Sequence, residues 1–330
     1  MKHLYSKEIT STTHPYNKLF LDKFDITVCK KKPKAIEIIT KIENNAKTLN
    51  LKILKANPKS GFDKQIFIPY GKLKRTVLYR GNKSKGIYIF YKSLESIGRI
   101  KSSKRFIKFS MNPYYWKFTN IKATDKVIQQ LTGYPLRKFL KHSTVTNMHF
   151  AYDVPYLDIH TFNVRFKKAA LYKVHFDAKG ELLHYAIGGS RGAKLLTIYD
   201  KRRQLIEESD LNIEAARQQF QIPLVRIETK IKSNTKFKDI IHIKNPFKSF
   251  EYYGSTVLDD PNISWDIRNS IALRGIGVTL KHRTRYQAEK LIESLRAHKM
   301  NINADELWSM YLDALSVLNL ISGKNELITF

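Results

Sequence analysis

The chain has 330 residues, 42% of them apolar, which excludes a disordered protein and leaves room for a substantial core. Its formal net charge of +30 costs stability through self-repulsion, so the expected partner is a polyanion, with nucleic acid ahead of an anionic membrane. Cys29 is the single cysteine, which excludes disulfides and thiolate zinc clusters within one chain and leaves oxygen or imidazole ligands for any metal.

The N-terminal "MKHLYSKEITSTTHPYNK" is polar and lacks an apolar signal core, and no apolar run reaches spanning length. No membrane association is expected, and a reducing cytoplasm fits the cysteine usage. "FDITV" (24–28) alternates like a strand. "KKKPKAIEIITKIENNAKTLN" follows as a helix, with Pro33 in its first turn and Ile36, Ile39 and Ile42 at helical spacing. "LKILK" from Leu51 is a second strand, and "TVLYRGNKSKGIYIFYKS" reads as a hairpin. "KRFIKFSM" places Arg105, Ile107, Phe109 and Met111 on one side of a strand. "ATDKVIQQLTG" predicts a helix capped by Thr124 or Asp125 and interrupted or ended at Gly133.

"NMHFAYDV" is a strand, and "ELLHYAIGGSRGAKLLTIYDK" reads as two strands joined by a glycine-rich turn. A helix is expected over about 201–220, then the strand "LVRIETKIK". Amphipathic helices capped by Thr284 and Asn303 dominate the C-terminal part. The expectation is an α+β fold: a mostly antiparallel central sheet, helices on one face, the other face polar and open as the active site. Residues 1–240 would form a catalytic domain and 241–330 a mostly helical region for DNA or partner contacts. The loose recurrence of "FDITVCKKKPKAIEII" in "HFAYDVPYLDIHTF" suggests two related halves.

Strand residues alternate between faces, so each run can be sorted. Opposite the apolar set Met148, Phe150, Tyr152 and Val154 lie Asn147, His149, Ala151 and Asp153. Opposite Val225, Ile227 and Thr229 lie Arg226, Glu228, Lys230 and Lys232, and opposite Leu196 and Ile198 lie Thr197, Tyr199 and Lys201. An imidazole and two carboxylates on neighbouring strands can hold a hard divalent cation. A tyrosine beside it, with lysines near, can attack a phosphodiester, local positive charge easing loss of a phenolic proton whose ordinary pKa is about 10. The plain alternatives stay open: Tyr199 as a packing aromatic, Asp153 and Glu228 in cross-strand ion pairs, His149 as a half-buried satisfied histidine.

The same runs resemble the rolling-circle replication initiators, that is, filamentous-phage replication endonucleases and plasmid transfer-type Rep proteins. "GGSRGAKLLTIYDKRRQL" resembles that family's Gly-Ser-Arg turn, strand and Tyr-x-Lys segment. "LVRIETKIK" is similar to its Arg-hydrophobic-Glu strand, and "NMHFAYDV" stands where it has Arg-hydrophobic-Asp-x-Ala-x-Asp. The likeness covers roughly residues 100–235. It implies that Tyr199 forms a 5′-phosphotyrosine link to DNA and that Asp153 and Glu228 bind Mg2+ or Mn2+, with His149 in place of the family's first aspartate. It makes Arg226 and Lys201 phosphate-side helpers. Asn147 departs from the family's arginine. The implied reaction is metal-dependent nicking and rejoining of one strand at an origin, without ATP. Gly188, Gly189 and Gly192 read as a hairpin turn, lacking the Gly-Lys-Ser/Thr ending of a phosphate loop.

DNA contacts are expected from Lys230, Lys232 and Arg191. They are also expected from "KSSKRFIKFSMNPYYWKF", where Lys104, Arg105 and Lys108 would track phosphates and Tyr114, Tyr115 and Trp116 would stack on bases. An ordinary strand followed by an aromatic core loop is the rival reading. In "LKHRTRYQAEK", Arg283 and Arg285 stand at a helix entrance suited to duplex contacts, or to simple solvation. Origin duplex and single strand are the expected partners, with a host helicase as a further candidate. The rival functions are a non-enzymatic DNA- or RNA-binding protein and a relaxase-type transferase for plasmid or integrated-element transfer. Tyr152 and Tyr185 are the fallback nucleophiles.

Overall fold

The computed structural model describes residues 18–29, 32–70, 86–93, 105–166, 171–188, 194–209, 211–300 and 302–321. Twelve strands form among them: β1 (Leu19–Cys29), β2 (Ile53–Lys55), β3 (Phe62–Pro69), β4 (Gly86–Ser93), β5 (Arg105–Met111), β6 (Ser143–Pro155), β7 (Phe162–Phe166), β8 (Leu171–Phe176), β9 (Leu182–Gly188), β10 (Lys194–Asp200), β11 (Leu224–Lys236) and β12 (Phe250–Gly254). Ten of them make one antiparallel sheet in the order β2-β3-β4-β5-β1-β6-β11-β10-β9-β8, while β12 pairs with β7 alone. Read outward from the central β1–β6 seam, β5-β4-β3-β2 on one side answers β11-β10-β9-β8 on the other.

Period-2 alternation explains which face is covered. Phe24, Ile26 and Val28 of β1, Ile107 and Phe109 of β5, Met148 and Phe150 of β6, and Ile227 of β11 are fully buried. They pack against α1 (Lys32–Thr48), α2 (Phe118–Thr132) and α3 (Leu136–Lys141), through Ile38, Ile42, Ile128, Leu131 and Phe139. From the C-terminal part, α8 (Ala304–Ser309) and α9 (Tyr311–Ser316) join the same core through Leu307, Tyr311 and Leu315. The α+β architecture, with its large antiparallel sheet and helical C-terminal part, is as the sequence predicts.

Local chemistry adjusts several elements. α2 begins at Phe118 rather than near Ala123, without a side-chain cap; Asp125 instead accepts from the backbone N–H of Leu136 at 2.6 Å and so caps α3. The single helix expected over 201–220 is two, α4 (Lys201–Glu207) and α5 (Ile213–Gln219), because Asn212 restarts the helix by accepting from the Ala215 N–H. Thr284 and Gln287 form a full capping box on α7 (Arg285–Leu295), and Asn303 caps α8. α6 (Trp265–Lys281) breaks at Gly275, where φ is +74°. With α7 it packs a separate small core of Ile271, Ile276, Leu280, Leu291 and Leu295.

Candidate active site on the polar sheet face

The polar face, opposite the one that packs against α1, α2 and α3, collects the residues that alternation assigns to it. Tyr199 on β10 pairs with Arg226 on β11, and Arg226 pairs with Asp153 on β6, so phenol, guanidinium and carboxylate stand in one line across three strands. Arg226 donates from Nε to Asp153 Oδ1 at 2.6 Å and from Nη2 to Oδ2 at 2.8 Å. Both side chains are buried, at 3% and 0% exposure. The guanidinium also lies 4.8 Å from the Phe20 ring centroid and 5.8 Å from that of Tyr114, and Nη1 is 3.7 Å from Asp22 Oδ1. Burial disfavours the arginine's charge, but Asp153 holds it firmly cationic.

Asp22 is the residue that the sequence reading missed. β1 begins at Leu19, not Phe24, and a bulge between Leu21 and Lys23 changes its register against β6. The extra residue re-aims the strand, as bulges beside functional sites do. Asp22 thereby joins the Arg226 side of the polar face. Burial first, and then the nearby Glu228 charge, raise the pKa of its carboxyl. The available signal was the run "LFLDKFDITV", where two charged residues in succession interrupt the alternation.

Along the same face, His149 Nδ1 lies 2.5 Å from Glu228 Oε1, and its Nε2 lies 3.0 Å from Asn147 Nδ2. Burial opposes ionisation of Glu228, yet His149 and Arg226 together bring its pKa below the usual carboxylate value. Asp25, also missed, accepts from Ser110 Oγ at 2.6 Å and pairs with Lys108 at 2.9 Å. Lys201 opens α4 behind the N-cap Asp200 and is buried, donating to Gln204 Oε1 at 2.9 Å. Desolvation, followed by the Arg226 charge, pulls its pKa down to about 8.

Tyr199 is half-buried on this face, whereas Tyr152 and Tyr185 pack against the helix-covered core. Positive charge was expected to ease loss of the Tyr199 proton. The net effect is the reverse: desolvation, the largest cause, raises the phenol pKa well above its ordinary value, while Arg226 lowers it and Glu228, Asp22 and Asp153 each raise it. The phenol is neutral at physiological pH.

The structure does not bring His149, Asp153 and Glu228 together as a metal site. Both oxygens of Asp153 are engaged by Arg226, while His149 and Glu228 engage each other. Among the described residues no three His, Cys, Asp or Glu side chains are disposed to hold a metal ion. The residues as placed do not fit the expected Mg2+ or Mn2+.

Of the expected DNA contacts, Lys232 is exposed and Lys230 and Lys108 are partly so. Trp116 is 6% exposed within the core, unavailable for base stacking, because the segment after β5 folds inward as an aromatic loop. Tyr114 stacks at a tilt on Phe20, 4.6 Å between centroids, and Tyr115 meets Tyr114 edge-on at 5.1 Å. Arg283 pairs with Asp266 at 3.1 Å and Arg285 with Glu289 at 2.9 Å, the latter highly exposed. Arg105 lies on β5, though its side chain, like Lys104, Arg191, Gly189 and Gly192, is outside the described residues. No described helix is long and apolar enough to cross a membrane.

No family model and no curated protein matches the chain. Among solved structures, one neighbour is a rolling circle replication initiator protein from Geobacillus stearothermophilus. It is 14% identical, the alignment covers 67% of this chain and 76% of that one, and the TM-score is 0.35. At that score the likeness carries no argument about this chain's chemistry.

Proposed function

We propose that this chain is a DNA strand transferase that nicks and rejoins one strand through a 5′-phosphotyrosine at Tyr199, initiating rolling-circle replication. One observation carries the reading: Tyr199 stands in direct cross-strand register with a buried, carboxylate-locked Arg226 on the polar sheet face of a very basic protein. Fixed positive charge beside a phenol favours an incoming phosphate and the charge that develops on it during displacement.

In the proposed step, the Tyr199 oxygen forms a bond to phosphorus as the bond to the 3′ oxygen breaks. The phenolic proton leaves through water toward Asp22, which lies on the same face 3.7 Å from Arg226 Nη1; burial makes its carboxyl more basic than an ordinary one. The departing 3′ oxygen takes a proton from water and becomes the 3′-OH that primes synthesis. Rejoining runs the same steps backward, and since the ester energy is retained no nucleotide is consumed. Asp153 acts as a positioning residue by fixing Arg226, and Lys201 adds charge behind the phosphate. No step is routed through a divalent ion.

The test is incubation of the protein with supercoiled plasmid from its own replicon, followed by denaturing electrophoresis for a protein–DNA adduct. The wild type should nick the plasmid and form the adduct, and Tyr199→Phe should bind DNA without forming it. An adduct that survives the substitution, or none with the wild type, overturns the reading.

A further inference from the structure

The polar face continues past β1 into the N-terminal half of the sheet, and there its character changes. Tyr88 pairs with Phe67 on one side and Ser110 on the other, and Phe90 pairs with Lys108. All point away from Ile87, Ile89 and Tyr91, which are fully buried against the helices. Phe67, Tyr88 and Phe90 are therefore half-exposed aromatics on the face where alternation ordinarily puts polar residues. Their rings form a continuous set, with 4.7 Å between the centroids of Phe67 and Tyr88 and 6.2 Å, near-parallel, between Tyr88 and Phe90. Gly86 contributes: a Cβ there would come 2.3 Å from the Phe67 ring, so the bare backbone lets that ring lie across β4.

Cations run from this aromatic set toward Tyr199. Lys108 Nζ lies 5.4 Å from the Phe90 ring centroid. The register line from Tyr88 passes through Ser110, Asp25 and Asn147 to Lys232. Lys23 and Lys230 stand beside it, close enough that, after burial, the charges of Lys23 and Lys232 lower the Lys230 pKa. Like charges gathered on an open face form a site for an anion. Aromatic rings at one end of a lysine track match a single strand, whose phosphates follow the cations while its unpaired bases stack on the rings; a duplex has no free base faces to offer.

We propose that Phe67, Tyr88 and Phe90 form a stacking platform for unpaired bases of the DNA strand that Tyr199 cuts. The inference rests on the reading of this face as a DNA site, though not on the covalent step. The platform lies five strands from β10. Its register line meets β6 at Asn147, whereas that of Tyr199 meets β6 at Asp153. At about 4.8 Å per strand and about 3.3 Å per residue, the separation is roughly 30 Å. The platform thus grips DNA several nucleotides away from the scissile phosphate.

The test uses the full chain and an unstructured single-stranded oligonucleotide carrying 2-aminopurine, read by fluorescence anisotropy for binding and by quenching for stacking. Tyr88→Leu and Phe90→Leu should each weaken binding by about tenfold and the double variant should abolish quenching, while Tyr88→Phe keeps both. Affinity for a blunt duplex should change by less than about twofold. Folded leucine variants that bind single strands like the wild type, as they would if the rings serve a protein partner, overturn the proposal. So does an equal loss of duplex and single-strand binding. Should the variants fail to fold, photocrosslinking of bromouracil-substituted DNA to the wild type decides: crosslinks must map to the 86–93 peptide, and their absence there overturns it. Tyr199→Phe run in parallel separates the two claims, since a missing adduct in the wild type with intact quenching removes the chemistry and leaves the platform.

Discussion

Arg226 clasps Asp153 with two nitrogens, 2.6 and 2.8 Å from its two oxygens, and neither side chain is more than 3% exposed. The carboxylate that the sequence offers as a metal ligand is thus the anchor of the arginine beside Tyr199. A buried pair of this kind is expensive to break from one side, because the survivor is left charged and unpaired. Asp153→Ala should therefore lower stability by about 3–5 kcal/mol, measured by urea denaturation. The double replacement Asp153→Leu with Arg226→Met should recover most of that loss without restoring adduct formation.

Tyr199→Phe removes one half-buried hydroxyl and leaves the ring. Stability should change by no more than about 1 kcal/mol, with DNA affinity retained and the covalent adduct lost. Chemical denaturation and adduct electrophoresis on the same preparation check both halves.

Lys201 carries a pH signature. Its pKa is pulled down to about 8, so its charge disappears as pH rises through that value. If the charge supports the phosphate, the adduct rate should fall above about pH 8 in the wild type, and Lys201→Arg should move that limb upward. The stability effect has the opposite sign. Between the folded value near 8 and the unfolded value near 10.5, the unfolded chain binds more protons, so this group makes the fold more stable as pH rises through that window. Lys201→Met should raise the melting temperature at pH 7 while slowing adduct formation.

Because His149 and Glu228 are bonded to each other and Asp153 to Arg226, DNA-free protein has no assembled set of three ligands among the described residues. Millimolar Mn2+ should move its melting temperature by less than about 1 °C, since binding stabilises only in proportion to occupancy. A larger shift, lost in Glu228→Gln, would show a site formed by rearrangement of these side chains.

Gly275 tests the C-terminal helix pair. Its φ of +74° suits glycine, and an added Cβ would sit 2.5 Å from the Tyr172 ring. Gly275→Ala should cost about 2 kcal/mol or more through backbone strain and overpacking, and Tyr172→Ala should relieve only the second part. Calorimetry of the two single variants and the double separates the contributions.

What the sequence made legible follows from periodicity. Alternation in "NMHFAYDV", "LVRIETKIK" and "AKLLTIYDK" sorts His149, Glu228, Arg226 and Tyr199 onto one face, because side-chain direction in a strand is a local property. Asp22 escaped because its placement comes from a bulge in the pairing of β1 with β6, of which the sequence of β1 shows only the broken alternation at Asp22 and Lys23. The sequence left Asp153 between a metal ligand and a cross-strand ion pair, because whether a cation or a guanidinium meets a carboxylate on a strand face depends on a partner strand 73 residues away; the structure shows the pair. Trp116 misled because alternating cationic and aromatic residues look alike whether the rings face solvent or turn inward. The break between α4 and α5 was visible in "ESDLN", whose Asn212 begins a new helix as readily as a turn interrupts an old one.

The pairing of β1 with β6 has a consequence for how the chemistry comes into being. Asp22 arrives from one side of that seam, while Arg226, Glu228 and Tyr199 arrive from the other, more than 170 residues later in synthesis. Neither partial chain owns the proposed catalyst. A nascent polypeptide thus lacks the proposed catalytic set until its two portions zip together, and a ligand able to pry that zipper open would abolish the proposed chemistry without ever touching Tyr199.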